Sequence, residues 1–304
     1  MINDASTRQV NLFICGAPRS GTTTLAELLG AHPDIHMGLV KEPMYFADTY
    51  KGREVTSLRS YNSLYEDAPT RKKWILDAST LYMYFPECAR NIRDYNPNSR
   101  LICILRDPQQ MVASWYWHMR TSRNGRECAQ TFDEAWGAIQ QRKRGKNLPS
   151  GCVDARLLFY DCIAQYHSQL LNILQQFPRE QVQILFYDDI RARPSSVLEE
   201  LADFLEVSSA SFVDVTVSNA RREARNSLAW FLASGAHVAP TKRFLRSINM
   251  GGALRPLRAA LFRAQRPQEL SPRMKMEIRT TYAEQVAAIA RLTNRPINGW
   301  LRTA

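Results

Sequence analysis

Between Gly16 and Thr24 the chain reads GAPRSGTTT, one cation, Arg19, among four hydroxyls, Ser20, Thr22, Thr23 and Thr24. Gly16 and Gly21 have the G-x-x-x-x-G spacing of a phosphate-binding loop, whose next residue would be Lys. Thr22 stands there instead, and the cation lies inside the turn. A nucleoside triphosphatase needs that Lys on its β- and γ-phosphates and a hydroxyl on Mg²⁺. Arg19, Ser20, Thr22, Thr23 and Thr24, with the N–H of Gly21, are donors suited to a smaller terminal anion. A second candidate is Lys41-Glu42-Pro43: Pro43 biases Glu42 away from helix and sets a carboxylate on an extended segment. A third is Arg106, followed by Asp107-Pro108 and then Ser114.

The elements around these residues are those of an α/β fold. Val10–Cys15 is an apolar run of strand length, and Thr22–Ala31 carries Leu25, Leu28 and Leu29 at helical spacing. Strand, glycine-bounded turn and helix in that order aim loop N–H groups and a helix N-terminus at one point, which makes an anion cradle. Further strands are expected at Ile35–Met37, Trp74–Asp77, Leu101–Leu105 and Gln181–Tyr187. Leu101–Leu105 is apolar throughout, as a central parallel strand covered on both faces must be. Arg106 then falls at its C-terminal end, where parallel sheets bind ligands. Asp107 and Pro108 supply an N-cap and a first helical residue, with Ser114 in the second turn. Helices are also expected over Tyr84–Tyr95, Asp154–Phe177, Pro194–Leu205 and Arg273–Leu292, with a short patch at Phe132–Ile139; QRKRGK at 141–146 reads as a solvated face.

The chain has 304 residues, enough for one full core, with ordinary apolar (45%) and charged (23%) fractions. The expectation is a single domain over 1–304 with a helical, basic C-terminal part from about 206. No run approaches 18 apolar residues, and MINDASTRQV lacks the apolar core of a signal peptide, so a cytoplasmic protein is expected. Six cysteines and five histidines show no metal-type spacing, so no metal is expected. The net charge of +11 is concentrated: residues 224–268 contain no Asp or Glu but eight Lys and Arg. Such a field favours an anionic partner. Within it, Leu254, Leu257, Leu261 and Phe262 alternate with Arg255, Arg258 and Arg263 as a basic amphipathic helix would, so contact with a membrane surface stays open.

PRSGTTTL at 18–25 resembles the 5′-phosphosulfate loop of sulfotransferases that use 3′-phosphoadenosine 5′-phosphosulfate (PAPS). K-E-P-x-[aromatic]-F at 41–46 resembles the pattern that follows this loop in many bacterial sulfotransferases and in the glycan sulfotransferases. L-R-D-P-x-x-x-x-x-S at 105–114 resembles the family's 3′-phosphate site. The resemblance covers nearly the whole chain, most strongly to about residue 205. It implies a P-loop-like three-layer sandwich with a central, mostly parallel sheet. It also implies that Glu42 is the general base, that Arg106 and Ser114 grip the 3′-phosphate, and that an acid and a Ser at Asp77 and Ser79 face the acceptor. A late basic loop supplies further phosphate contacts in relatives, for which Arg221, Arg222 and Arg225 are the candidates. Val153 stands where the family usually has a Tyr, so no donor contact is assigned there.

The reaction so implied is sulfuryl transfer from PAPS to a hydroxyl or amine of a small-molecule, lipid or saccharide acceptor, by in-line displacement and without a metal. Arg19 and the loop N–H groups would stabilise charge on the leaving oxygen, Glu42 would take the acceptor's proton, and Lys41 would orient the sulfonate or Glu42. Two other readings compete. A P-loop kinase lacks its Lys at position 22, and a non-enzymatic binder of anionic polymers or membranes would work through residues 224–268 alone. No nucleic-acid partner is expected, and the sequence leaves acceptor and oligomeric state open.

Overall fold

In the computed structural model the described residues are 9–38, 40–121, 126–212, 222–224, 262–264, 270–297 and 299–302. Five parallel strands form one sheet: β1 (Leu12–Gly16), β2 (Ile35–Met37), β3 (Trp74–Ala78), β4 (Arg100–Leu105) and β5 (Val182–Phe186), in the order β2-β3-β1-β4-β5. Their alternate side chains divide between two cores, as the two-residue period of a strand requires. Phe13, Cys15, Leu101, Cys103, Leu105 and Ile184 face one side, and Leu12, Ile14, Leu76, Ile102, Ile104 and Leu185 the other. Both faces are covered, so the strands read as continuous apolar runs.

Helix α1 (Thr22–Ala31) joins the second core through Leu25 and Leu29. The segment after β2 carries α2 (Leu58–Ser63), and α3 (Glu87–Tyr95) precedes β4. Pro86 holds the start of α3 back to Glu87, against the expected start at Tyr84. Helix α4 (Pro108–Thr121) begins as expected, with Asp107 Oδ1 accepting from Gln109 N at 2.9 Å. Two short helices, α5 (Phe132–Gly137) and α6 (Ile139–Lys143), stand where one patch was expected. In α6, Arg142 is no part of a solvated face: its side chain is 2% exposed and forms a bidentate pair with Glu127 at 2.6 and 2.7 Å.

The expected helix over Asp154–Phe177 is a 3₁₀ turn at Ala155–Leu158, a stretch of turns, and only then α7 (Tyr166–Leu174). Tertiary donors interrupt the ladder. Arg156 O accepts from Tyr84 OH, Leu157 O from Trp115 Nε1, and Tyr160 O from Tyr282 OH. Beyond β5 lie α8 (Tyr187–Ala192) and α9 (Pro194–Leu205).

The chain divides into two units, Met1–Val217 with Glu269–Ala304, and Ser218–Gln268. In the second, β6 (Arg222–Ala224) pairs antiparallel with β7 (Phe262–Ala264). Phe262–Ala264 is therefore strand where the basic amphipathic helix was expected to end, and the rest of that helix lies outside the described residues. Helix α10 (Pro272–Leu292) belongs to the first unit and packs Met274, Ile278 and Tyr282 into the first core.

Candidate active site

The sheet order brings the C-terminal ends of β1 and β4 side by side at the centre, where the connections diverge to opposite edges. Gly16 is the register partner of Cys103, so Arg19 and Arg106 each stand three residues beyond a paired couple. The backbone of the first loop depends on its glycines. Gly16 has φ +152°, and a Cβ there would lie 2.9 Å from Thr80 O; Gly21 has φ +85°, with the Tyr187 ring 3.2 Å from an added Cβ. Gly21 is also the N-cap of α1 and offers no side-chain acceptor, which leaves the helix's first N–H groups for a ligand.

Arg19, itself at φ +61°, donates from Nε to Ser114 Oγ at 3.2 Å across 95 residues of sequence. Arg106 donates from Nη1 to Arg19 O at 2.7 Å and from Nη2 to Gln110 Oε1 at 3.2 Å. Its guanidinium lies 4.4 Å from the centroid of the Tyr187 ring. Arg106 Nε is buried with no hydrogen-bond partner, and no ion pair among the described residues involves either arginine. Burial, and then the neighbouring Arg106 guanidinium, push the pKa of Arg19 down; burial does the same to Arg106, against the phenol of Tyr187. Two desolvated cations that repel each other form a site an anion would stabilise.

Lys41 and Glu42 border this pair. Lys41 Nζ donates to Thr23 Oγ1 and lies 3.6 Å from Glu42 Oε1, which accepts from Thr80 Oγ1 at 3.3 Å. Both side chains are near 40% exposed, so a ligand can reach them. Glu42 and Met44 hold left-handed backbone, φ +58° and +54°.

Not every expected contact is presented to a ligand. Ser20 is fully buried and donates to Pro18 O at 3.4 Å, and Thr22 is buried too, so the outward hydroxyls are those of Thr23 and Thr24. Asp77 and Ser79, expected to face the acceptor, are 1% and 0% exposed. Ser79 Oγ donates to Asp77 Oδ1 at 2.7 Å, and Tyr61 and Tyr82 donate to Oδ2 at 2.8 and 2.9 Å. The carboxylate is enclosed by its own donors in this structure. Arg221 and Arg225 lie outside the described residues, as does the side chain of Arg222.

Two further residues border the site. Tyr187, the first residue after β5, forms a wall against both Gly21 and Arg106. His118 lies one helical turn beyond Ser114, and its pKa falls to about 4 through burial and then the charges of Arg19 and Lys41. Its i, i+4 spacing from Ser114 was the available signal. Among the described residues, no group of His, Cys, Asp or Glu is arranged to hold a metal ion.

A sulfotransferase domain model matches residues 9–228, which takes in every residue of this site. The chain is 27% identical over 269 residues to the membrane-associated sulfotransferase kil1 of Dictyostelium discoideum, covering 65% of this chain and 56% of that protein. It is 25% identical over 207 residues to human bifunctional heparan sulfate N-deacetylase/N-sulfotransferase 3, covering 66% of this chain but 22% of that protein. The chain thus spans about half, or less than a quarter, of the relatives it matches. The crystal structure of a sulfotransferase from Alicyclobacillus acidocaldarius superposes with a TM-score of 0.70 at 22% identity, over 97% of this chain and 100% of that one, which establishes the shared fold. The chain belongs to the sulfotransferase domain family.

Proposed function

We propose that this protein transfers the sulfuryl group of PAPS to a hydroxyl or amine of a small-molecule, lipid or saccharide acceptor. The convergence of Arg19, Ser114 and Arg106 carries this reading: two half-buried guanidiniums with no ion-pair partner among the described residues suit a nucleotide with anionic groups at both ends. The fit is supported by the unpartnered Nε of Arg106 and by the uncapped start of α1. Arg19, Thr23, Thr24 and the N–H groups of Gly21 and Thr22 would hold the phosphosulfate end and Arg106 the 3′-phosphate, while Ser114, 1% exposed and accepting from Arg19 Nε, would position that guanidinium. PAPS supplies the activated sulfuryl group; the remaining chemistry falls to side chains. Glu42, exposed beside Lys41, takes the proton of the acceptor's hydroxyl or amine as the new bond to sulfur forms, a contribution of roughly 10²–10⁴ in rate. Arg19 and the loop N–H groups stabilise the charge left on the phosphate oxygen as its bond to sulfur breaks. Lys41, held by Thr23 and 3.6 Å from Glu42, orients the carboxylate.

The N-sulfotransferase named among the relatives supports a saccharide amine or hydroxyl within this acceptor class. Among the described residues no helix is long and apolar enough to cross a membrane, and a cytoplasmic location remains the proposal from the sequence. Calorimetry with adenosine 3′,5′-bisphosphate against 5′-AMP tests the donor assignment. The bisphosphate should bind more tightly by at least roughly tenfold, about one charged hydrogen bond. Equal affinity would refute the 3′-phosphate site and favour a binder acting through residues 224–268.

A further inference from the structure

Asp77 sits within the parallel sheet, register partner of Phe13, with no ion-pair partner among the described residues. Each of its three hydroxyl donors leads to the segment that carries Glu42. Ser79 Oγ, while donating to Asp77, accepts from Met44 N at 3.2 Å. Tyr82 OH, while donating to Asp77, accepts from Phe46 N at 3.5 Å. Tyr61 stacks on Tyr45 with centroids 4.7 Å apart and meets Phe46 edge-on at 5.1 Å. The next residue after Ser79, Thr80, bonds Glu42 itself. Glu42 and Met44 lie in left-handed backbone that L-residues disfavour, so this segment needs outside support to keep its shape.

We infer that Asp77 and Ser79 are positioning residues for Glu42, acting through the amides of Met44 and Phe46 rather than on the acceptor. This rests on the reading of Glu42 as general base. A buried carboxylate strengthens the hydrogen bonds it accepts and polarises the hydroxyls that make them. Ser79 and Tyr82 thereby become better acceptors for the two amides, and a single anchor in the sheet fixes a loop outside it.

A double-mutant cycle tests this without knowledge of the natural acceptor. Release of labelled sulfate from PAPS, with water as acceptor, is measured for the wild type, Ser79→Ala, Glu42→Gln and the double variant. Ser79→Ala should lower kcat by roughly tenfold, the scale of one buried hydrogen bond, with KM for PAPS within about twofold. In the Glu42→Gln background the same change should have no further effect, because a residue acting through another loses its influence when that one is gone. Ser79→Thr, which keeps the hydroxyl, should restore most of the rate. Multiplicative losses, or a KM that rises with the fall in kcat, would overturn the inference. A Glu42→Gln variant with full turnover would instead refute the base reading. Hydrogen exchange of the peptide spanning residues 40–47 decides between the outcomes where water turnover is too slow to measure. Exchange there should quicken in Ser79→Ala while the peptide spanning 16–24 is unchanged; unaltered protection of 40–47 overturns the inference.

Discussion

Replacing Arg106 by Ala removes a guanidinium that touches three parts of the site at once. It donates to Arg19 O and to Gln110 Oε1 and lies against Tyr187, with Nε buried and without a partner. In the free protein these losses oppose one another. Arg19 O loses its donor, which costs about 1–3 kcal/mol, but the repulsion that lowers the pKa of Arg19 is relieved. The fold should therefore survive, since among the described residues Arg106 forms no ion pair whose loss would leave a buried carboxylate uncompensated. Binding of adenosine 3′,5′-bisphosphate has no such compensation. A buried hydrogen bond to a charged group is worth about 1.5–3 kcal/mol, so the dissociation constant should rise roughly 10- to 150-fold. The same change should alter 5′-AMP affinity by less than about threefold, because the 5′ end is held by the loop before α1. Titration calorimetry of both ligands with both proteins separates these terms. Equal losses for the two ligands would show that Arg106 acts by shaping the loop through Arg19 O and not by meeting a phosphate. Unchanged bisphosphate affinity would remove Arg106 from the site altogether.

Glu42→Gln should lower turnover by roughly 10²–10⁴ while bisphosphate affinity stays within about twofold, measured by initial rates and calorimetry on the same preparation. Glu127→Gln should cost about 3–5 kcal/mol of stability in denaturant unfolding, because Arg142 and Tyr160 then face a buried site without its charge. Stability against pH should separate groups whose shifts have opposite signs. Burial raises Asp77 to about 6, so its contribution is complete below the unfolded carboxylate range near 4 and is lost as pH rises through 6. His118, lowered to about 4, makes the folded state gain stability over the unfolded one as pH rises from 4 to about 6.5. Asp107, raised to about 6 by burial like Asp77, adds a second falling slope; with each slope at most about 1.4 kcal/mol per pH unit, wild-type stability should fall between about pH 4 and 6. Asp77→Asn removes one of the two falling slopes and should leave a nearly flat profile between about pH 4 and 6, and a variant that falls as steeply as the parent would exclude it.

The elements legible in the sequence are those whose ends are set by local chemistry. Gly21 before α1, Asp107-Pro108 before α4 and Pro194 at the start of α9 each fix a boundary within a few bonds, and the structure keeps all three. Where distant side chains compete for the backbone, local pattern fails. The apolar repeat over 154–177 is helical in period, yet Tyr84, Trp115 and Tyr282 claim carbonyls along it, and those partners lie 72, 42 and 122 residues away. The burial of Arg142 is hidden for the same reason, since its partner Glu127 lies outside the charged run that made it look solvated.

The site divides along the same line. Arg19 and Arg106 could be expected to lie together because Arg106 directly follows one strand and Arg19 lies three residues beyond another, and adjacent parallel strands must deliver adjacent C-terminal ends. Asp77 and Ser79 could also be found, but not what they do, because an acid at a strand end looks alike whether it faces a ligand or the core. What separates the two cases is the origin of the hydroxyls around it. Tyr61, from the excursion after β2, and Tyr82, from the turn after β3, close over the carboxylate and turn an apparent acceptor contact into a support for Glu42. The contrast with the two arginines is physical. A buried charge that has gathered its own donors is suited to holding the fold, whereas two neighbouring cations with no ion-pair partner among the described residues are stabilised by an anion. Anion binding should therefore raise the melting temperature of this protein, and the rise should disappear in Arg106→Ala while persisting in Ser79→Ala.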